Sequence, residues 1–343
     1  MVNDSYIPTI ITKKNLSSPG FTTLKKIIKS RKSIANKLGN IKYYIDHGKN
    51  AIYNIKKDRS KVNKLLINNL KNTEKIKVKN ITPPKQCGNN CWFNVLFMCY
   101  FISDKGRKFT KPLRLSMIKG NYDKSLVKKT NYISFSNALF DFNLAIEGAL
   151  TGSSFSKNVN TNEIISNIYN SIDFPEDWVY HRGYGNPLAY YEGLIDFLYP
   201  NDNFPIVFLH LSNYITNSML DVYKLNSENM PHVIVVEILD DKSKLIAKKQ
   251  NIQLLSQNET IKANYKLDSI CIRDINQTHV GCLITLNKSG YLFDADGPSD
   301  KRMRPINWNN ENFINSDKNF TLAKNYSTFN MKRGYQILYY YRI

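Results

Sequence analysis

Between Gln86 and Ile102 the chain passes from a turn, Gln86-Cys87-Gly88-Asn89-Asn90, straight into the apolar block Cys91-Trp92-Phe93-Asn94-Val95-Leu96-Phe97-Met98-Cys99-Tyr100-Phe101-Ile102. The block is apolar on every side of a helical projection, which predicts a buried helix rather than an amphipathic surface one. Cys91 then sits in the first turn of a core helix. The unpaired N–H groups and positive dipole end there favour thiolate over thiol, and the thiolate is the nucleophile. Gln86, five residues upstream, is placed to donate its side-chain amide to an oxyanion formed when Cys91 attacks a carbonyl. The competing reading is packing, since a free cysteine beside Trp and Phe commonly serves as a small hydrophobe. A catalytic cysteine also needs a histidine base and a group that orients it.

With 343 residues, 42% hydrophobic and 12% aromatic, the chain can build a substantial core. No apolar run approaches the ~18 residues needed to span a bilayer. The start of the chain has neither a basic nor an apolar signal region, so no secretory signal is expected. Five cysteines (Cys87, Cys91, Cys99, Cys271, Cys282) show no framework spacing, which fits free thiols in a reducing, intracellular compartment. The spacings of Cys87, Cys91 and Cys99 match no common zinc pattern, so neither metal nor cofactor is expected.

The net charge of +20 is unevenly placed: residues 1–80 hold 19 Lys and Arg against four acidic residues. There Leu24, Ile27, Ile28, Ile34, Leu38, Ile41 and Ile45 recur at three- and four-residue spacing, and a second patch follows at Val62, Leu65, Leu66 and Leu70, which predicts a basic, partly helical N-terminal extension. It reads either as an arm for nucleic acid, acidic protein or an anionic membrane surface or as a lysine-rich extension docked through its apolar stripe. Thr82-Pro83-Pro84 marks the expected boundary, with a second domain over residues 81–343. Residues 104–130 read as a basic loop, and residues 131–176 as short helical patches with Ser/Asn-rich connections. A helix is expected to begin near Pro187, after the glycine-rich loop around His181.

The later part turns to strands. Phe204–Leu209, His232–Leu239, Tyr265–Ile272, Val280–Leu286, Gly290–Phe293 and Tyr335–Tyr341 are β-branched or aromatic runs flanked by turn residues. Helices followed by strands give an α+β chain, most simply helices packed against a mainly antiparallel sheet.

Of the histidines His47, His181, His210, His232 and His279, the last has the best context for a base. It follows the turn Asp274-Ile275-Asn276-Gln277-Thr278 and begins a strand. A hairpin through Asn287-Lys288-Ser289-Gly290 returns to Phe293-Asp294-Ala295-Asp296-Gly297-Pro298, so His279 and Asp294 come side by side. Asp294 is then expected to accept the Nδ1–H of His279, fixing the tautomer and stabilising imidazolium. Asp296, on the same face by strand alternation, is the rival orienting acid, and both aspartates also suit a plain turn.

At these residues the chain resembles a known family. Gln86 to Asn94 is similar to the cysteine box of papain-like peptidases, especially ubiquitin-specific proteases. Tyr265 to Ile272, then His279, then Tyr291 to Asp294 resembles that family's histidine box, and Gly334 to Arg342 its closing strand. More weakly, Gly185 to Glu192 is similar to a helix that follows the cysteine box. The resemblance implies a papain-like fold, a helical subdomain with the nucleophile at a helix start packed on the sheet. It also implies a Cys91–His279–Asp294 triad with Gln86 at the oxyanion position, and ubiquitin or ubiquitin-like conjugates as substrates. Gln86 stands where ubiquitin-specific proteases usually carry asparagine, Thr278-His279-Val280 replaces their Gly-His-Tyr, and no CxxC…CxxC pair for zinc-bearing fingers exists. Two alternatives stay open: a viral-type peptidase maturing structural or polyprotein precursors, compatible with the Lys/Asn/Ile/Tyr-rich composition, and a catalytically dead binding module that works through its basic arm.

Overall fold

The apolar block from Cys91 to Ile102 is helical along its whole length in a computed structural model of the chain, and every residue of it is buried. The structure describes residues 40–45, 49–71, 76–120, 132–152, 161–171, 187–198, 206–211, 222–225, 232–238, 248–256, 262–298, 302–324 and 326–343. His47, His181 and the chain before residue 40, the first 39 residues of the expected basic arm, lie outside them.

In chain order the elements begin with β1 (Asn40–Ile45), β2 (Lys49–Asn54), α1 (Ile55–Lys71), α2 (Cys91–Phe97), α3 (Asp104–Phe109), α4 (Lys111–Lys119), α5 (Tyr132–Thr151), α6 (Thr161–Tyr169) and α7 (Pro187–Leu198). They continue as β3 (Ile206–Leu211), β4 (Val222–Leu225), β5 (Val233–Ile238), β6 (Asn251–Ser256), β7 (Lys262–Arg273), β8 (Val280–Leu286) and β9 (Ser289–Phe293). The chain closes with β10 (Met303–Pro305), α8 (Glu311–Ile314), β11 (Asn319–Thr321), β12 (Thr328–Asn330) and β13 (Gln336–Arg342). The fold class is α+β. Two compact units form, one from residues 1–97 and 110–202, the other from residues 98–109 and 203–343.

The first unit is mainly helical. Phe93 and Phe97 of α2 meet Phe142 of α5, and Phe93 stacks on Tyr191 of α7 at 5.4 Å between ring centroids. Each such buried aromatic contributes about 1.5–3 kcal/mol through the apolar area it hides. A second cluster joins Val62, Leu66 and Leu70 of α1 to Ile118 of α4 and to Phe140 and Leu144 of α5. Inside it Arg114 pairs with Glu147 at 3.1 Å, while Asn69 donates to the other carboxylate oxygen.

Two expectations fail here. The periodicity carried through Ile41 and Ile45 predicted helix, yet these residues lie in β1, antiparallel to β2 with Ile41 opposite Tyr53; the β-branched and aromatic run Ile41-Lys42-Tyr43-Tyr44-Ile45 suits a strand. Residues 104–119, read as loop, form α3 and α4. Leu113, Met117 and Ile118 bury one side of α4, and Gly120, at φ 69°, ends it in the left-handed conformation. Interspersed Lys and Arg hid that stripe. The patches of residues 131–176 prove to be one long helix, α5, and the shorter α6.

In the second unit nine strands, among the described residues, form one sheet. Its central path runs β10-β9-β8-β7-β13-β5-β3, antiparallel except where β3 meets β5, and β4 and β6 also pair parallel. The long β7 takes β6 beside its first half, β8 beside its second, and β13 along its other edge. One face packs Ile270, Ile272, Leu283, Leu292, Leu338 and Tyr340 around Trp308, whose Nε1–H donates to Ile284 C=O at 3.1 Å. Opposite β13 the register slips: Tyr339 faces Ser269 but Tyr340 faces Leu267, so Asp268 is the extra residue of a β-bulge.

Candidate active site

Cys91 is the first residue of α2 and is buried. The amides of Phe93 and Asn94 donate to Asn90 C=O, which starts the helix. The Asn90 side chain turns backward instead of capping it, its Oδ1 accepting from Cys87 N–H at 2.9 Å. Gly88, at φ 66°, supplies the left-handed turn between them. Trp92 and Phe93 anchor the helix start against Tyr190, ring centroids 5.5 and 5.7 Å away. Gln86 is half-buried, and its side-chain oxygen is buried with no partner among the described residues.

His279 stands just before β8, in the second unit. The Asp274 carboxylate accepts the backbone N–H groups of Thr278 and His279, both at 2.8 Å, and Asp274 N–H donates to His279 C=O. These bonds close the loop and fix the histidine backbone. From His279 the strand pairs back through Asn287 and Lys288, both with positive φ, as a two-residue hairpin requires.

The His279 ring turns Nε2 toward Asp294 Oδ1, 2.7 Å away. This reverses the expected contact through Nδ1. Asp294 is fully buried, holds a backbone bond to Arg302 C=O, and keeps its Oδ2 without a partner among the described residues. Asp296 is exposed and touches Asp294 only through its own backbone N–H, at 3.0 Å. The ladder stops at Phe293, and a turn closed by Gly297 N–H on Asp294 C=O ends the alternation that put both acids on one face. Cys271 and Cys282 face each other across β7 and β8, both buried, and burial pushes the Cys282 thiol well above its ordinary value. Both pack in the interior of the second unit. Among the described residues no group of three His, Cys, Asp or Glu side chains is arranged to hold a metal ion. No helix among them is long and apolar enough to cross a membrane.

No protein-family model and no curated protein sequence matches this chain. Solved structures do. The SAGA Ubp8/Sgf11/Sus1/Sgf73 DUB module bound to ubiquitin aldehyde is similar at 9% identity and a TM-score of 0.47 over 94% of each chain. A further structure of that module gives 8% and 0.46 over 96% of this chain and 95% of the other. The yeast module with an Sgf73 mutant gives 10% and 0.44 over 94% of each chain. All three are structures of a DUB module.

Sequence reasoning passed over four residues that shape these segments: Asp274, Asn90, Asn94 and Thr161. Asp274 carried a readable signal, an aspartate opening a polar turn. Asn90 and Asn94 stood inside the cysteine box without an assigned task. Thr161 had no local signal, because its partners lie 71 and 67 residues away.

Proposed function

We propose that this chain is a papain-like cysteine peptidase of the ubiquitin-specific kind, hydrolysing isopeptide bonds at a ubiquitin-like C-terminus. The observation that carries the reading is the buried His279–Asp294 pair at 2.7 Å, a histidine oriented by a fully desolvated carboxylate. Cys91 at the first position of a buried helix is the partner such a base would serve.

In this scheme Asp294 holds Nε2 and stabilises the imidazolium, and Nδ1 is the nitrogen that exchanges a proton with Cys91. The thiolate attacks the amide carbonyl, and the carbonyl π pair moves onto oxygen. The Gln86 amide and backbone N–H groups at the start of α2 stabilise that oxyanion. His279 then protonates the leaving amine as the C–N bond breaks. Water, deprotonated by His279, cleaves the thioester and releases the carboxylate and the thiol. The catalytic domain in this reading is residues 81–343, with residues 1–80 an extension whose α1 docks through Val62, Leu66 and Leu70. A reduced thiol sets the reaction in a reducing compartment.

The test is covalent labelling by ubiquitin carrying a C-terminal electrophile, with Cys91→Ala and a small thiol alkylator as controls. Labelling that disappears in Cys91→Ala supports both nucleophile and substrate. Selective alkylation of Cys91 without ubiquitin labelling keeps the peptidase and sinks ubiquitin. A Cys91 inert to both reagents sinks the whole scheme.

A further inference from the structure

We infer that Thr161 is a positioning residue for Gln86, acting through one hydroxyl proton, two asparagine amides and two peptide groups. The inference rests on the reading that Gln86 donates to the oxyanion. Thr161 opens α6, and its Oγ1 accepts from Asn90 Nδ2 at 2.7 Å while donating to Asn94 Oδ1 at 2.8 Å.

A hydroxyl has a single proton, and where it goes decides how each amide faces. Asn94 presents its oxygen to Thr161, so its Nδ2 turns to Lys85 C=O at 3.2 Å. Asn90 presents its nitrogen, so its Oδ1 turns to Cys87 N–H at 2.9 Å. Lys85 C=O and Cys87 N–H are the peptide groups on either side of Gln86. Asn162, the next residue of α6, adds a bond from its Nδ2 to Cys87 C=O. Thr161, Asn90 and Asn94 are fully buried, so an unmet partner costs about 1–3 kcal/mol with no water to replace it. The Gln86 side-chain oxygen has no partner among the described residues. The direction of its amide is therefore governed by the backbone that this network holds.

Two probes of the same sulfur separate the oxyanion site from the nucleophile. A peptide ending in glycinal binds when Cys91 Sγ bonds the aldehyde carbon, the carbonyl π pair moves to oxygen, and the thiol proton passes to that oxygen. This adduct draws on the oxyanion donors. Iodoacetamide alkylates the sulfur, with iodide leaving and the thiol proton going to solvent, and draws nothing from them.

Thr161→Val keeps the shape and removes both the proton given to Asn94 and the oxygen that accepts from Asn90. It is expected to weaken glycinal binding and kcat by about 10- to 100-fold, with KM and the Cys91 alkylation rate within about twofold of wild type, and Thr161→Ser should restore both. Wild-type glycinal affinity in Thr161→Val overturns the inference, as does a parallel loss of alkylation. If Thr161→Val does not fold, Asn94→Asp keeps the acceptor for Thr161 and removes the donor to Lys85. The same split is expected there, and unchanged glycinal affinity overturns the inference. A wild type alkylated at Cys91 that never binds glycinal overturns the inference alone, whereas one inert to both removes the nucleophile assignment beneath it.

Discussion

Asp268 is a carboxylate whose contribution to stability falls as the pH rises toward neutrality. As the extra residue of the β7 bulge it points its Oδ2 at the amides of Lys105 and Gly106, 3.1 and 3.4 Å away, and so caps α3 from a distant strand. Burial raises its carboxyl to about 6, opposed by hydrogen bonds from Ser103, Lys105 and Gly106 and reinforced by the Asp104 charge. The folded value lies above the ordinary 3.8, so between the two the folded state binds more protons than the unfolded one. Stability from this group is complete below about pH 4 and is lost as pH rises through 6. Two decades at about 1.4 kcal/mol each make about 3 kcal/mol. Asp268→Asn keeps an oxygen for the two amides and removes the charge. Whatever the amide itself costs, its stability relative to wild type should improve by about 3 kcal/mol between about pH 4 and pH 7.5. Urea unfolding across that range, followed by hydrogen exchange at the β7 amides, measures the difference. A stability difference, variant minus wild type, that stays constant with pH or falls as pH rises refutes the reasoning.

Three further outcomes follow from buried groups. Lys248 Nζ donates to Ile314 and Met331 carbonyls, and burial, with nearby Lys332, lowers its ammonium to about 8. The unfolded chain binds more protons between about pH 8 and 10.5, so wild type should gain about 3 kcal/mol over that window relative to Lys248→Met, measured by urea unfolding. Arg114→Met leaves the Glu147 charge buried and should cost about 3–5 kcal/mol, with the double variant Arg114→Met/Glu147→Leu recovering much of it in thermal melts. Gly281→Ala puts a methyl 2.7 Å from Phe329 Cζ and 2.9 Å from Phe293 C=O, so a loss of about 1–3 kcal/mol is expected, with kcat falling alongside because His279 is two residues away.

What the sequence made legible was local. The helix at Cys91 showed as an apolar run interrupted only by Asn94, and β8 and β9 showed as a β-branched and an aromatic segment around a turn whose Asn287 and Lys288 adopt positive φ. What escaped was carried by distant partners. α3 is capped by Asp268, 163 residues after Lys105, so the start of that helix has no signal in its own segment. Thr161 is bound to the cysteine box only through the tertiary fold.

The reversed histidine contact shows how far counting along a hairpin reaches. Fifteen residues separate His279 from Asp294, which suggested direct neighbours meeting through the nearer ring nitrogen. In the register observed, Cys282 faces Phe293, so continuing it by one residue sets Gly281 opposite Asp294 and leaves His279 two positions further along. His279 is thus a diagonal neighbour, and diagonal pairs stand about 7–8 Å apart where direct pairs stand about 4.5–5.5 Å. The outer nitrogen, Nε2, spans that gap and meets Oδ1 at 2.7 Å. A one-residue slip of that register would have turned His279 and Asp294 to opposite faces of the sheet. The proposed mechanism gives the Cys91 proton to Nδ1 because Nε2 is held by Asp294, a contact that the spacing of the two residues alone does not contain.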